Sequence, residues 1–325
     1  MKVLITGASG FLGSHVAEQL SLKGHDVRAL VRETSDTKFL ATLSSVSLVY
    51  GSLEDRDSVL AACEGVDAIV HSASLVKARS TAEFRRVNVQ GTRHVLDGAV
   101  EHGVGRLVYV GSLTARAPSP NGERLPTDAQ PAPVTAYGRT KLEAERLVLE
   151  AKDKLHVTVI RPTAVYGPRD REMYQLFQYA TRRILPLIGD PNGKLTMIYG
   201  EDCARALIDA LTVDIPSGQA FDLDDGNIYT RAQLSEGLEE AVGKRALVRF
   251  PIPTAIVRAL GVGGDVYRRL ANKPVMVTSE KVDELLEQWV GDSSDARDKL
   301  GFKASVDWFE GAKRTADWYF ANGWL

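Results

Sequence analysis

The stretch TAYGRTKLEAERL (135–147) places Tyr137 four residues before Lys141. On a helix that spacing sets the two side chains one turn apart on the same face. A free phenol, with a pKa of about 10, exchanges a proton poorly near neutral pH, and an ammonium held beside it favours the phenolate and lowers that value. Tyr and Lys also meet at this spacing by chance on many solvated helices. The pair therefore gains chemical meaning only from what the rest of the chain sets around it.

A second stretch, TGASGFLG, spaces Gly7, Gly10 and Gly13 as G-x-x-G-x-x-G and lacks the Gly-Lys-Ser/Thr ending of a triphosphate loop. A glycine turn between strand and helix lets a pyrophosphate approach the backbone, where the helix N-terminus offers free N–H groups. A tight packing turn is the plainer reading, but the position after the first strand favours a dinucleotide. An NAD site usually has an acid at the end of the second strand for the ribose hydroxyls. Here VRALVRETSD ends that strand with Val31 and Arg32. A guanidinium suits a 2′-phosphate, so the expectation is a preference for NADP(H), with NAD(H) possible through Glu33. Arg28 either points the same way or is solvated.

The elements that must hold these residues show as a rhythm. Val/Ile/Leu-rich runs at 2–6, 26–31, 46–50, 67–71, 106–111 and 156–161 alternate with amphipathic stretches such as FLGSHVAEQLSLKG and TRHVLDGAVEHG. Runs that are apolar throughout belong to strands covered on both faces, and the alternation predicts an α/β fold with a doubly wound parallel sheet. QAFDLDD (219–225) is a candidate further strand. Beyond about residue 165 the rhythm loosens. The expected division is a dinucleotide-binding domain over 1–165 plus a returning segment at about 200–227, and a smaller substrate lobe from 166–199 and 228–325. The run LVRFPIPTAIVRALGVGG (247–264) reads as a pocket wall or lid, as a helix packed within the small lobe, or as a membrane-surface contact.

Lys+Arg 40 against Asp+Glu 42 gives a net charge of -2, which leaves no basic field to attract nucleic acid. Cys63 and Cys203 fall in no metal-like spacing, which argues against a disulfide framework and for a reducing compartment. The opening MKVLITGAS reads as a strand rather than a signal peptide, and no apolar run nears the ~20 residues of a membrane span. The expectation is a cytoplasmic protein acting on a small molecule.

Taken together and in order, TGASGFLG, YGRTK and RPTAVYGP make the chain resemble the extended short-chain dehydrogenase/reductase family, within the NAD-dependent epimerase/dehydratase superfamily, over essentially its whole length. Asn88 in VNVQGT and Ser112 in VYVGSLT match as well. The resemblance implies a Rossmann-like sheet carrying a nicotinamide cofactor, a smaller C-terminal lobe for the substrate, and the helix-mediated homodimer common among members. It implies Tyr137 as general acid/base, Lys141 as its electrostatic partner and a ribose ligand, and Ser112 as hydrogen-bond partner of the reacting oxygen, with Thr114 the alternative hydroxyl. The cofactor contacts it implies begin with Thr6, Gly7, Gly10, Phe11, Leu12 and Gly13. They continue with Arg32, Leu53, Ser72 and Ala73, and then with Asn88, Lys141 and Pro162. Asn88 alternatively ties loops together, and His71 is either a cofactor neighbour or a structural histidine. No metal is expected.

Within the family, 4,6-dehydratases carry a carboxylate after the active-site hydroxyl, whereas Leu113 follows Ser112 here. Val31-Arg32 likewise departs from the acid of nucleotide-sugar epimerases. VRALVRE, WVGDSSDARDKLGF and TADWYFANGWL look more like the 3β-hydroxysteroid dehydrogenase and dihydroflavonol reductase branch. The expected function is interconversion of a ketone and a secondary alcohol on a steroid-, polyketide- or lipid-like substrate. One alternative is a nucleotide-sugar epimerase with tightly bound NAD, for which Arg182-Arg183 would meet a diphosphate. The other is a cofactor-binding sensor without turnover.

Overall fold

Residues Lys2–Thr6 (β1) have no wet side: Val3, Leu4, Ile5 and Thr6 are fully buried. Such a strand belongs inside a sheet covered on both faces. The computed structural model, which describes the chain from Met1 to Leu325 and every side chain except that of Pro251, places β1 in the interior of one. From β1 the chain runs through α1 (Phe11–Leu22), β2 (Asp26–Val31), β3 (Val46–Tyr50), α2 (Arg56–Cys63) and β4 (Ala68–His71). It continues through α3 (Thr81–Phe84), α4 (Gly91–Glu101), β5 (Arg106–Val110), α5 (Ala136–Glu150) and β6 (His156–Pro162). Next come β7 (Ala164–Tyr166), α6 (Tyr174–Thr181), β8 (Ile184–Ile188), β9 (Lys194–Leu195), β10 (Met197–Tyr199), α7 (Gly200–Asp209) and β11 (Gln219–Leu223). The remainder is β12 (Tyr229–Thr230), α8 (Arg231–Val242), β13 (Val248–Ile252), α9 (Thr254–Ala271), α10 (Ser279–Leu286), α11 (Ser294–Leu300) and α12 (Trp308–Ala321).

Seven parallel strands pair in the order β11-β6-β5-β4-β1-β2-β3. The expected doubly wound Rossmann sheet is present, and the stretch 219–225 supplies its edge strand. One face packs α1, α7 and α11 through Val16, Leu20, Leu207 and Leu300. The other packs α2, α4 and α5 through Val59, Val95, Ala144 and Val148. Strand order reverses between β1 and β4, so the crevice at their carboxyl ends lies where connections diverge to opposite sides.

Three two-stranded ribbons, β10 with β7, β12 with β9 and β13 with β8, carry the chain out to the second lobe. That lobe has its own aromatic core, with Tyr166, Phe177, Tyr199, Trp308 and Tyr319 packed between α8 and α12. α11 does not follow its sequence neighbours outward, since Ala296 and Leu300 are buried in the core of the sheet.

Candidate active site

At the end of β1 the chain turns through Gly7 at φ +79°, a backbone conformation that suits glycine. A Cβ there would lie 2.8 Å from the Ala73 nitrogen, and one at Gly13 would lie 2.1 Å from the Gly7 oxygen. Gly10 caps α1 with no side chain, so the first N–H groups of the helix face the carboxyl edge of the sheet without a side-chain partner. Free N–H groups, the positive end of the helix dipole and a backbone bare of side chains are what a pyrophosphate requires. Phe11 and Leu12 open the helix half-buried, Ser72 and Ala73 form the half-buried opposite wall after β4, and Pro162 is buried where β6 ends.

A buried chain of hydroxyls and imidazole braces this cradle. Thr6 Oγ1 lies 2.6 Å from His71 Nδ1 and accepts the Ala73 N–H at 3.2 Å. His71 Nε2 lies 2.9 Å from Thr92 Oγ1, which donates to the Asn88 carbonyl at 2.6 Å. Burial first, and the Lys141 charge second, push the His71 pKa down to about 3, so this histidine is a neutral link.

Asn88 sits in a π-helical turn, Arg85–Gln90, and is 1% exposed. Its Oδ1 accepts the Leu75 N–H at 2.7 Å, while Nδ2 donates to the Leu75 carbonyl at 3.1 Å and to Thr140 Oγ1 at 3.3 Å. The side chain thus clamps the loop after β4 to α5. Leu53 is likewise buried, its carbonyl accepting from His94 Nδ1 at 2.8 Å.

Thr135 starts α5 by accepting the Gly138 N–H at 3.0 Å, which sets Tyr137 in the first turn and Lys141 one turn deeper. Lys141 is 2% exposed, donates to the Val110 carbonyl at 2.5 Å and stands 4.3 Å from the centre of the Tyr109 ring. Burial pushes its pKa down to about 7, against the pull of Glu145. Burial, reinforced by the Glu284 charge, pushes the Tyr137 phenol up to about 12, while hydrogen bonds with Ser74 and Ser112 work the other way. The ammonium is directed at a carbonyl and a ring, and desolvation of the phenol prevails. Ser112 Oγ lies 2.8 Å from Thr114 Oγ1, so the two candidate hydroxyls form one hydrogen-bonded pair.

Behind this face, Glu145 of α5 holds Arg161 by two bonds at 2.6 and 2.9 Å, and Asp222 of β11 receives Arg116 at 2.5 Å. Arg161 also reaches Asp222 at 3.4 Å, which joins α5, β6 and β11 through buried charge pairs. Two neighbours of Tyr137, Ser74 and Glu284, escaped the sequence reading. Ser74 lies two residues past Ser72 in the same HSAS stretch and had a signal; Glu284 lies far along the chain on α10 and had none.

Residues 3–223 match the model of the NAD dependent epimerase/dehydratase family. The chain belongs to that family. It is similar to a ceramide reductase of Caulobacter vibrioides, with 31% identity across 99% of this chain and 96% of that protein. It is also similar to a 2-alkyl-3-oxoalkanoate reductase of Stenotrophomonas maltophilia, with 34% identity across 75% of this chain and 76% of the relative. Among solved structures, MoeE5 in complex with UDP-glucuronic acid and NAD superposes with a TM-score of 0.81 at 23% identity, covering 99% of this chain and 100% of that one. The chemistry of the chain is thus that of a nicotinamide-dependent oxidoreductase or epimerase acting at C–OH and C=O groups.

The expected preference for NADP(H) is corrected. MoeE5, a UDP-glucuronic acid 4-epimerase variant of Bacillus cereus and DesIV of Streptomyces venezuelae, which share the fold, all hold NAD. The physical reason lies in the turn after β2. The Arg32 side chain is exposed to solvent, where its charge is screened, and Glu33 follows it directly. Arg28 is turned away, donating to the carbonyls of Ala62 at 2.9 Å and Glu64 at 2.6 Å.

Proposed function

We propose that the protein is an NAD(H)-dependent oxidoreductase interconverting a ketone and a secondary alcohol on a lipid-like substrate. The observation that carries this reading is Tyr137 in the first turn of α5, one turn from a buried Lys141 that reaches the last carbonyl of β5, with Ser74 and Ser112 acting on its phenol at the carboxyl edge of the sheet. The two reductases named above act, by their names, on a ceramide and on an oxoalkanoate, which supports the apolar substrate.

The bare turn at Gly7, Gly10 and Gly13 and the first N–H groups of α1 would hold the pyrophosphate, with Lys141 toward the ribose. Leu53, Ser72, Ala73 and Pro162 would complete the walls, and Thr6 and Asn88 would position them. A nicotinamide bound there supplies the hydride that reduces the carbonyl carbon, or accepts it in oxidation. Tyr137 Oη gives its proton to the carbonyl oxygen as the C–H bond forms, and Ser112 donates a hydrogen bond to the same oxygen as charge develops.

A second reading, a nucleotide-sugar epimerase, draws support from the fold's solved structures with UDP sugars and NAD. Correction of the NADP(H) expectation also removes the second-strand objection to it. Arg183, which would have met a diphosphate in that reading, instead donates to the Arg245 carbonyl at 3.0 Å. Following NADH absorbance with long-chain ketones and with UDP sugars separates the two. Net loss of NADH with the ketones supports the first reading. Sugar interconversion without net loss replaces it with the second, and binding of NADH without either reaction defeats both.

A further inference from the structure

α9 turns its broad apolar face away from the protein. The helix seats on α10 through Val257 and Gly261, both buried. At about 3.6 residues per turn, Val266 and Leu270 fall on the opposite side, with Ile256, Leu260 and Tyr267 along one flank and Val262 along the other. Each is half or more exposed, Leu270 by 83%. Just before α9, Leu247 at the entry to β13 and Val248 and Phe250 within it are exposed. Among the described residues, nine of the twenty exposed large hydrophobic side chains lie within 247–270. A surface helix ordinarily does the reverse, and an apolar patch of this kind marks a contact surface.

Charge frames the patch. Residues 244–273 carry seven Lys and Arg against one acid, Asp265, in a chain whose overall balance is -2, although Glu239 holds Arg249 and Asp265 holds Arg268. Arg258 and Arg269 border the apolar face along one flank, Lys273 follows the end of the helix, and Lys244 and Arg245 precede β13. Arg258 is only loosely held, 3.8 Å from an exposed Asp283. An apolar face with a cationic border fits the boundary between headgroups and acyl chains of an anionic bilayer. It fits a second copy of this chain poorly, because a two-fold contact would set the same cationic border against itself.

We propose that α9 and β13 form a docking surface for an anionic lipid bilayer. α9 lies in the plane of the headgroups with its apolar face toward the acyl chains, and Arg258, Arg269 and Lys273 meet lipid phosphates. The helix rests on the membrane and does not cross it, since no helix among the described residues is long and apolar enough to do so. The docked surface stands one helix from the site. α10, which α9 covers, carries Glu280, acceptor of the Ala136 N–H at 2.7 Å, and Glu284, whose charge acts on Tyr137. A substrate dissolved in the bilayer would have a short path to the phenol, but docking itself does not depend on which substrate is turned over.

Flotation of the full chain with phosphatidylcholine vesicles, plain or with about 30 mol% phosphatidylglycerol, tests this. The protein should float with the anionic vesicles, bind plain ones at least about tenfold less, and be released by high salt. Leu260→Glu with Leu270→Glu should lower binding to anionic vesicles at least about tenfold, with NADH binding and melting temperature retained. Arg258→Glu with Arg269→Glu should do the same by removing the border charge, and it keeps the test decisive should the first pair fold poorly. Absence of flotation with anionic vesicles, or equal flotation of the wild type and both variants, overturns the proposal. Concentration-dependent dimerisation abolished by the leucine changes, without vesicle binding, gives the face to a second copy and overturns it too.

Discussion

α5 and α9 carry the same helical periodicity and turn it opposite ways. α5 points Lys141, Ala144, Glu145 and Val148 into the protein, where burial decides their chemistry. It holds a lysine with its pKa down at about 7 and, one turn earlier, a tyrosine with its pKa up at about 12. α9 buries Val257 and Gly261 and leaves its leucines in water. The amphipathic pattern marks a boundary along each helix; which side of that boundary is dry depends on what the fold stacks against it. On α5 the dry side holds ionisable groups, and desolvation shifts their pKa values as water around α9 would not.

That contrast breaks if the buried residues prove replaceable. Tyr137→Phe removes the proton without emptying the space, and turnover should fall by on the order of 10²–10⁴-fold while NADH binding, read by fluorescence, persists. Near-normal kcat would take Tyr137 out of the mechanism.

Lys141→Met tests the desolvated amine. In the folded chain its pKa lies at about 7, below the ordinary 10.5. Between those values the unfolded chain binds the extra proton, so stability rises with pH across that window, by up to about 1.4 kcal/mol per unit. Urea unfolding should show that rise in the wild type and its loss in Lys141→Met, together with weaker NADH binding. A flat wild-type profile would mean that the amine is solvated.

Asn88→Ala should cost about 1–3 kcal/mol in denaturant unfolding, because the Leu75 N–H and carbonyl lose their partners inside the protein. A neutral outcome would show that the loop after β4 needs no clamp. The smallest effect belongs to the exposed Arg32. Arg32→Ala should move the Michaelis constant for NAD by less than about threefold, as for an exposed and screened charge. A shift of ten times or more would restore Arg32 as a cofactor ligand.

Much of the cofactor half was legible because its strands are buried on both faces. Runs such as KVLIT and HVTVIR, apolar without alternation, mark sheet interior directly, and the glycine spacing at 7, 10 and 13 records a backbone that can carry no Cβ. The ribbons of β7 with β10 and β9 with β12 left no such mark, because strands of two or three residues are too short for a period. α11 was hidden for a different reason. Its place against the sheet follows from a return of the chain that only long-range packing determines.

By itself the sequence determined the α/β order, the glycine turn and the placing of Tyr137 and Lys141 one turn apart on a single helix, all properties of neighbouring residues or of local period. Tertiary structure alone decided that Lys141 meets the Val110 carbonyl and not the phenol, that Asn88 grips a loop, and that Glu284 arrives from α10 to raise the phenol further. It also decided that α9 shows its apolar side to solvent. Desolvation and charge act through space, between residues as far apart in the chain as 137 and 284, and that relation is written in no local pattern.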